Sequence, residues 1–258
     1  MNIKWEGLFS GLLQGITEFL PISSSGHLFL LERWLQFSEN PLSFFLVLHG
    51  ATALSIILVF SKDLTKLSLS LQKKETFLLI LKILIALFPL IVVGLFFQTT
   101  LEKEGFQDWI VGLGFLLTGL LLFVPPSLFK LRLTKELKEI SFPAAFIIGL
   151  IQALTVLPGF SRSGWTITAG LLLGLNPRAA VTFSFLIALP AILGSCAVVF
   201  LQQGGISGFS GEMIWAFTAA FISGTLSLLL VLKLVQQKKF YLFGFYLIPL
   251  GCYLLFFN

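Results

Sequence analysis

The chain reads as an all-α polytopic membrane protein, and three observations carry that reading. Of its 258 residues, 57% are hydrophobic and 11% charged, and the mean hydropathy is +0.98. Soluble domains hold roughly 25% charged residues, so a surface this poor in charge cannot face water. Several runs stay apolar for the ~20 residues a helix needs to cross a bilayer. Lipid offers the backbone no hydrogen-bond partner, so such runs must be helices or closed barrels. A barrel strand alternates apolar with polar residues, and these runs are solidly apolar.

Six runs predict full spans, over about 41–60, 76–98, 109–129, 177–201, 212–232 and 240–257. Two more stretches, 3–36 and 142–175, are apolar but interrupted. The first breaks at Pro21-Ile22-Ser23-Ser24-Ser25-Gly26-His27, the second at Pro158-Gly159-Phe160-Ser161-Arg162-Ser163-Gly164. Each half is too short to cross alone, so both stretches predict re-entrant helical hairpins. Irregular backbone at membrane depth is tolerated only inside protein or along a cavity. The N-terminus shows no basic leader and no cleavage signal after its apolar run, so it is expected to be retained.

The basic residues orient the chain. Lys62, Lys66, Lys73 and Lys74 lie between the first two spans; Lys130, Arg132, Lys135 and Lys138 precede the second hairpin. Arg178 follows that hairpin, and Lys233, Lys238 and Lys239 precede the last span. Cytoplasmic loops collect Lys and Arg. One topology places all of these inside, leaving Lys4, Arg33 and Lys103 with Glu102, Glu104 and Asp108 outside. It requires both broken stretches to return to the side they came from, and it sets the C-terminus outside. With a net charge of +5 held in short loops, nucleic acid is not an expected partner; membrane lipids are. Cys196 and Cys252 lie far apart in apolar runs, with no metal or redox spacing, and read as packing residues.

The two broken stretches resemble each other. Gly11-Leu12-Leu13-Gln14-Gly15-Ile16-Thr17 matches Gly149-Leu150-Ile151-Gln152-Ala153-Leu154-Thr155, and without a gap Ser23-Ser24-Ser25-Gly26 falls on Ser161-Arg162-Ser163-Gly164. Each copy precedes three spans, an odd number, so the copies are inverted. The prediction is one integral membrane domain, 1–258, built as an inverted-topology repeat. Residues 1–130 form one half and 142–258 the other, each a hairpin plus three transmembrane helices. Sites in such folds sit near the midplane between the repeats.

Ionisable groups at that depth are costly and mark function. Glu18, His27 and Arg162 qualify, with Gln14 one helical turn before Glu18. As a bland alternative, Glu18 and Arg162 form only a structural ion pair, and the serines only satisfy a bent helix. Opposed hairpins would instead gather these groups at one point. Each break precedes a new helix whose N-terminus offers free N–H groups to an anion. Serine hydroxyls can cap or donate there, and arginine presents a fork that matches phosphate. Gly26 and Gly164 allow close backbone approach. The expected guest is a phosphate or diphosphate on a lipid. For hydrolysis, Ser24 or a neighbouring serine is the candidate nucleophile and His27 or Glu18 the proton carrier. Arg162 is the candidate for stabilising the transferred phosphoryl group. A divalent cation, Mg2+ or Ca2+, bridging Glu18 and a diphosphate is a further expectation. Ser23, Ser25, Ser161, Ser163 and Thr166 complete the candidate binding set. Gln152 reads as a hairpin-packing residue, and His49, at the start of a span, as a polar tip at the outer interface.

Residues 14–27 and 158–166 resemble the two signature motifs of the undecaprenyl-diphosphatase family, the bacitracin-resistance type, and the resemblance extends over the whole chain. It implies hydrolysis of undecaprenyl diphosphate to the monophosphate carrier, which returns to peptidoglycan and envelope-polymer synthesis. It also implies a bacterial plasma-membrane location, an outward-facing site and a divalent-cation requirement. The family's acidic positions fall on Gln14 and Glu18, its histidine on His27 and its arginine on Arg162; glutamine at 14 removes a charge that many members carry. A homodimer is one expectation for assembly. A phosphatidic-acid-phosphatase pattern is excluded, since Thr168 stands where its second histidine is required. A lipid-carrier transporter remains the rival from another class. It would bind through Arg162 and the helix ends without needing a proton carrier beside the serines.

Overall fold

The computed structural model describes residues 5–35, 41–104, 107–124, 133–203 and 211–257. These are helical almost throughout. The broken stretches become helix pairs: α1 (Trp5–Phe19) and α2 (Ser24–Leu35), then α7 (Phe142–Leu154) and α8 (Arg162–Leu172). Between them run α3 (Pro41–Val59), α4 (Ser61–Leu69), α5 (Lys74–Glu104) and α6 (Asp108–Leu121). After them come α9 (Pro177–Gln203), α10 (Gly211–Gln236) and α11 (Gly244–Phe256).

Six full spans were expected from the apolar runs. Among the described residues, three helices are long and apolar enough to cross by themselves, within α5, α9 and α10. The run at 41–60 continues past Phe60 into α4 through a 71° bend. Residues 61–69 are therefore a surface helix rather than a loop. Leu64 and Leu67 lean on the core while the lysines stay exposed, the pattern of a helix lying along an interface. The 109–129 run is helical only to Leu121; Pro125 and Pro126, which lack amide hydrogens, follow in the sequence and lie outside the described residues. The last run begins as a 3-10 turn at Phe240–Phe243 before α11.

Packing joins the two halves of the chain. Helix α1 lies chiefly on α10, and α7 on α5; α6 pairs with α11, and α3 lies against α9 and α10. Glycines permit the two closest crossings. A Cβ on Gly11 would strike the carbonyl of Ala216, and one on Gly149 would strike that of Ala86. The same residue of each matched segment thus seats its helix on the other half. Phe19, Phe60 and Phe185 form a ring cluster at the centre, with centroids 5.5 and 5.9 Å apart.

Polar contacts sort into two ends. At one end Asp63 pairs with Arg178 and Glu75 with Lys138. There the segment before α7 is also tied to the end of α8: Lys135 N donates to Gly174 O, Asn176 N to Lys135 O, and Lys135 Nζ to Leu173 O. At the other end Arg33, late in α2, pairs with Asp108 at the start of α6, and Gly7 lies against Glu212 at the start of α10.

Candidate active site

Both second helices begin alike. Ser23 precedes α2 and its Oγ accepts from Gly26 N at 3.3 Å; Ser161 caps α8 and its Oγ accepts from Gly164 N at 3.2 Å. Capping serines satisfy first-turn amides that a helix leaves unbonded. The first break is tight: Ser23 adopts φ +69°, a left-handed conformation that costs a non-glycine residue about 1–2 kcal/mol. The second break uses Gly159 at φ +89° for its left-handed turn.

The first residue after each capping serine reaches the same carboxylate. Ser24 Oγ donates to Glu18 Oε2 at 2.5 Å, and Arg162 Nη2 pairs with Glu18 Oε1. Gln14 Nε2, one turn earlier on α1, is the carboxylate's third donor, reaching Oε2 at 3.1 Å. The Glu18 side chain is 4% exposed and that of Arg162 20%. Ser163 Oγ links the breaks directly by donating to Leu20 O at 3.3 Å. Gln14, Glu18 and Ser24, close in sequence, and Arg162, 144 positions beyond Glu18, form one hydrogen-bonded unit.

His27, one turn after Ser23 on α2, is buried with both ring nitrogens engaged. Nδ1 lies 2.8 Å from Ser23 O and Nε2 2.8 Å from the hydroxyl of Tyr246 on α11. The described contacts therefore place Glu18, and not His27, on the Ser24 hydroxyl. Ser25 is exposed and touches Ser23 Oγ at 3.3 Å; Ser161 and Ser163 hydroxyls lie 3.2 Å apart. Gly26 and Gly164 meet close neighbours: a Cβ on Gly26 would lie 2.6 Å from Phe115 Cζ, and one on Gly164 3.2 Å from Pro21 Cβ. Thr166, expected to line the site, has its hydroxyl occupied by Arg162 O at 2.7 Å and Ser184 Oγ at 2.6 Å. It braces the turn that carries Arg162.

His49 departs from expectation. The sequence places it at the start of a span as a polar tip, but it lies in the middle of α3 and is half-buried. Its ring stacks on Phe45 at 3.9 Å, with Nδ1 on Phe45 O. Its helix packs against α1, α9 and α10.

Helix α6 supplies residues that sequence reasoning passed over. Phe115 meets His27 edge-on at 5.1 Å, and Gly114 lies against Gly159. Thr118 Oγ1 accepts from Ser161 N at 3.2 Å and from Trp165 Nε1 at 3.0 Å, and donates to Gly159 O at 3.4 Å. A signal for Thr118 was present: between Ile110 and Val124 it is the only side chain with a polar atom. Tyr246 carried none, being one of three tyrosines, all near the C-terminus.

Apolar helices too greasy for water, joined around a buried carboxylate–guanidinium–hydroxyl site, define a membrane-embedded helical protein with a polar centre. Residues 7–253 match the family described as bacitracin resistance protein BacA, and the chain belongs to that family. Its relatives include three proteins named undecaprenyl-diphosphatase. The one from Thermosipho africanus is 39% identical over 240 residues, 92% of this chain and 94% of the relative. That from Christiangramia forsetii is 38% identical over 257 residues, 96% and 95% of the two chains. That from Methanococcus vannielii is 34% identical over 255 residues, 98% and 99%.

Proposed function

We propose that this chain is an undecaprenyl-diphosphatase of the plasma membrane, releasing inorganic phosphate from undecaprenyl diphosphate and returning the monophosphate carrier to envelope synthesis. Resistance to bacitracin follows from that recycling. Family membership and three similarly named relatives support the activity. The observation that carries the chemistry is Glu18 holding Ser24 and Arg162 at once, one from each break.

Ser24 Oγ attacks the terminal phosphorus while its proton passes to Glu18, already 2.5 Å away. The bond between that phosphorus and the bridging oxygen breaks, and its electron pair leaves on the lipid monophosphate. Water then attacks the phosphoserine; Ser24 Oγ departs and regains the proton from Glu18, and both protons of the water leave with the phosphate as dihydrogen phosphate. Arg162 turns from Glu18 to the phosphoryl oxygens, where its fork opposes the charge gathered in the transition state. The unbonded first-turn amides of α2 and α8 point positive dipole at the same place.

A divalent cation suits the donor set. Gln14 Oε1 is a buried acceptor with no partner, one turn from Glu18. A hard cation such as Mg2+ takes one or two protein oxygens and completes its shell with phosphate and water. Gln14 and Glu18 would hold it, and it would neutralise diphosphate charge. Among the described residues no cluster of three acidic, histidine or cysteine side chains offers another place.

The inverted repeat belongs to the same proposal. Ties between 135 and 173–176 bring the start and end of the second hairpin to one end of the molecule. Arg33–Asp108 ties the end of the first hairpin to α6 and Gly7–Glu212 its start to α10; in this reading both lie at the opposite end. With basic loops cytoplasmic, the first hairpin opens outward, together with the site and the C-terminus.

Purified protein in detergent, given a long-chain polyprenyl diphosphate, is expected to release phosphate, to stop when EDTA is added, and to lose activity in His27→Ala and Arg162→Ala variants that still fold. Folded wild type that binds the lipid without releasing phosphate would replace this reading with a carrier transporter.

A further inference from the structure

The mechanism leaves His27 with two engaged nitrogens and a partner that no motif announced. Ser23 O is a carbonyl and can only accept, so the Nδ1 facing it carries the proton. Ser23 O is aimed there by the left-handed turn at Ser23, which also lets it accept from His27 N at 3.2 Å. A neutral imidazole protonated at Nδ1 is an acceptor at Nε2, so the Tyr246 hydroxyl donates to it. The two rings stack with centroids 5.7 Å apart and planes 18° from parallel, and Phe115 meets the imidazole edge-on. The ring is held in tautomer, tilt and position by α2, α6 and α11 together.

The second half repeats the arrangement with a different ring. In the ungapped match of the two breaks, position 27 falls on Trp165. Trp165 Nε1 donates to Thr118 on α6 at 3.0 Å, as His27 Nε2 meets Tyr246 on α11 at 2.8 Å. Helices α6 and α11 are the last helices of their halves and pack on each other. In each half a ring nitrogen four residues past the capping serine meets a hydroxyl on the last helix of the other half. Tryptophan is a donor only and takes no part in proton transfer, so in the second half the contact is purely positional. In the first half the same contact falls on a ring that can take up a proton.

We propose that Tyr246 is a positioning residue for the diphosphatase reaction: its hydroxyl holds His27, three residues after Ser24 on α2, in the single tautomer with Nδ1 protonated and Nε2 accepting. This rests on the hydrolase reading given above. Loss of the hydroxyl frees the ring to exchange tautomers and to tilt, while the stack and the packing remain.

The test is Tyr246→Phe, which keeps the ring and removes one oxygen. Histidine 15N NMR separates the tautomers, and the chain has only two histidines, so a His49→Gln background isolates the His27 signals. Wild type is expected to show His27 protonated at Nδ1 alone; Tyr246→Phe is expected to show mixed tautomers. Its kcat should fall about tenfold or more with KM changed less than twofold, because a contact that only positions a neighbouring side chain acts mainly on the chemical step. His27 protonated at Nε2 in wild type would overturn the proposal, as would a Tyr246→Phe protein that changes the tautomer without changing kcat, or kcat without the tautomer. Absence of phosphate release by wild type would defeat the hydrolase reading alone, since the tautomer is read without turnover.

Discussion

Glu18 is the residue on which the site turns, because its carboxylate collects a hydroxyl, an amide and a guanidinium in a nearly solvent-free position. Breaking a buried ion pair from one side leaves a charge without a partner, which costs about 3–5 kcal/mol. Arg162→Ala is therefore expected to lower the melting temperature as well as abolish turnover. Adding Glu18→Gln to it should restore most of the melting temperature and none of the activity; thermal unfolding beside a phosphate assay separates the two effects. Arg162→Lys should keep the charge but lose the fork, so kcat should fall about 100-fold without comparable loss of stability. Ser24→Ala and Glu18→Gln should each reduce kcat by about 10²–10⁴, the scale of a nucleophile and its base. If Ser24→Ala retains wild-type kcat, water attacks directly. These four side chains were legible in the sequence because a charge or a serine run in an apolar chain has few uses. The partner of His27 was not, since a tyrosine near the C-terminus satisfies the same composition wherever it points.

At the scale of elements, the breaks hold their shape because other helices supply what they lack. Thr118 makes three hydrogen bonds to the second break from a fully buried position. Thr118→Val should strand buried donors and cost about 2 kcal/mol or more, read as a drop in thermal stability, with the His27 tautomer unchanged. Gly11 and Gly149 bring two helices into backbone contact across the halves. Gly11→Val and Gly149→Val should each destabilise by at least the ~1–3 kcal/mol of an overpacked core, because the obstacle is a carbonyl that cannot rotate away. Near-wild-type melting in both would refute that close approach. The hairpins could be read from the sequence because proline, glycine and serine interrupt an otherwise uniform pattern. The turn of α4 out of line could not: Phe60 and Ser61 carry no helix-breaking residue, and the bend follows from Leu64 and Leu67 finding the core while the lysines stay out.

For the whole molecule, the proposed topology makes an accessibility pattern that can be checked in oriented vesicles. In a chain with Cys196 and Cys252 replaced, single cysteines at Lys66, Ser141 and Asn176 should react with an impermeant reagent from the cytoplasmic side only. One at Gln107 should react from the outside only. Ser141 and Asn176 reacting from opposite sides would mean that the second broken stretch crosses. What the sequence determined by itself is what composition and local pattern can carry: a helical membrane protein, two interrupted stretches that match each other, and a short roster of polar groups too costly to bury without purpose. Tertiary structure decided which of those groups meet. Glu18 takes Ser24 and Arg162 rather than His27, His27 takes Tyr246, and His49 lies within α3 rather than at its start. The reason is physical: burial price and helix-breaking are properties of a residue and its neighbours in the chain, whereas a hydrogen bond across 144 or 219 positions depends on how whole helices cross. Those crossings are set by glycine contacts and ring packing summed over both halves of the molecule.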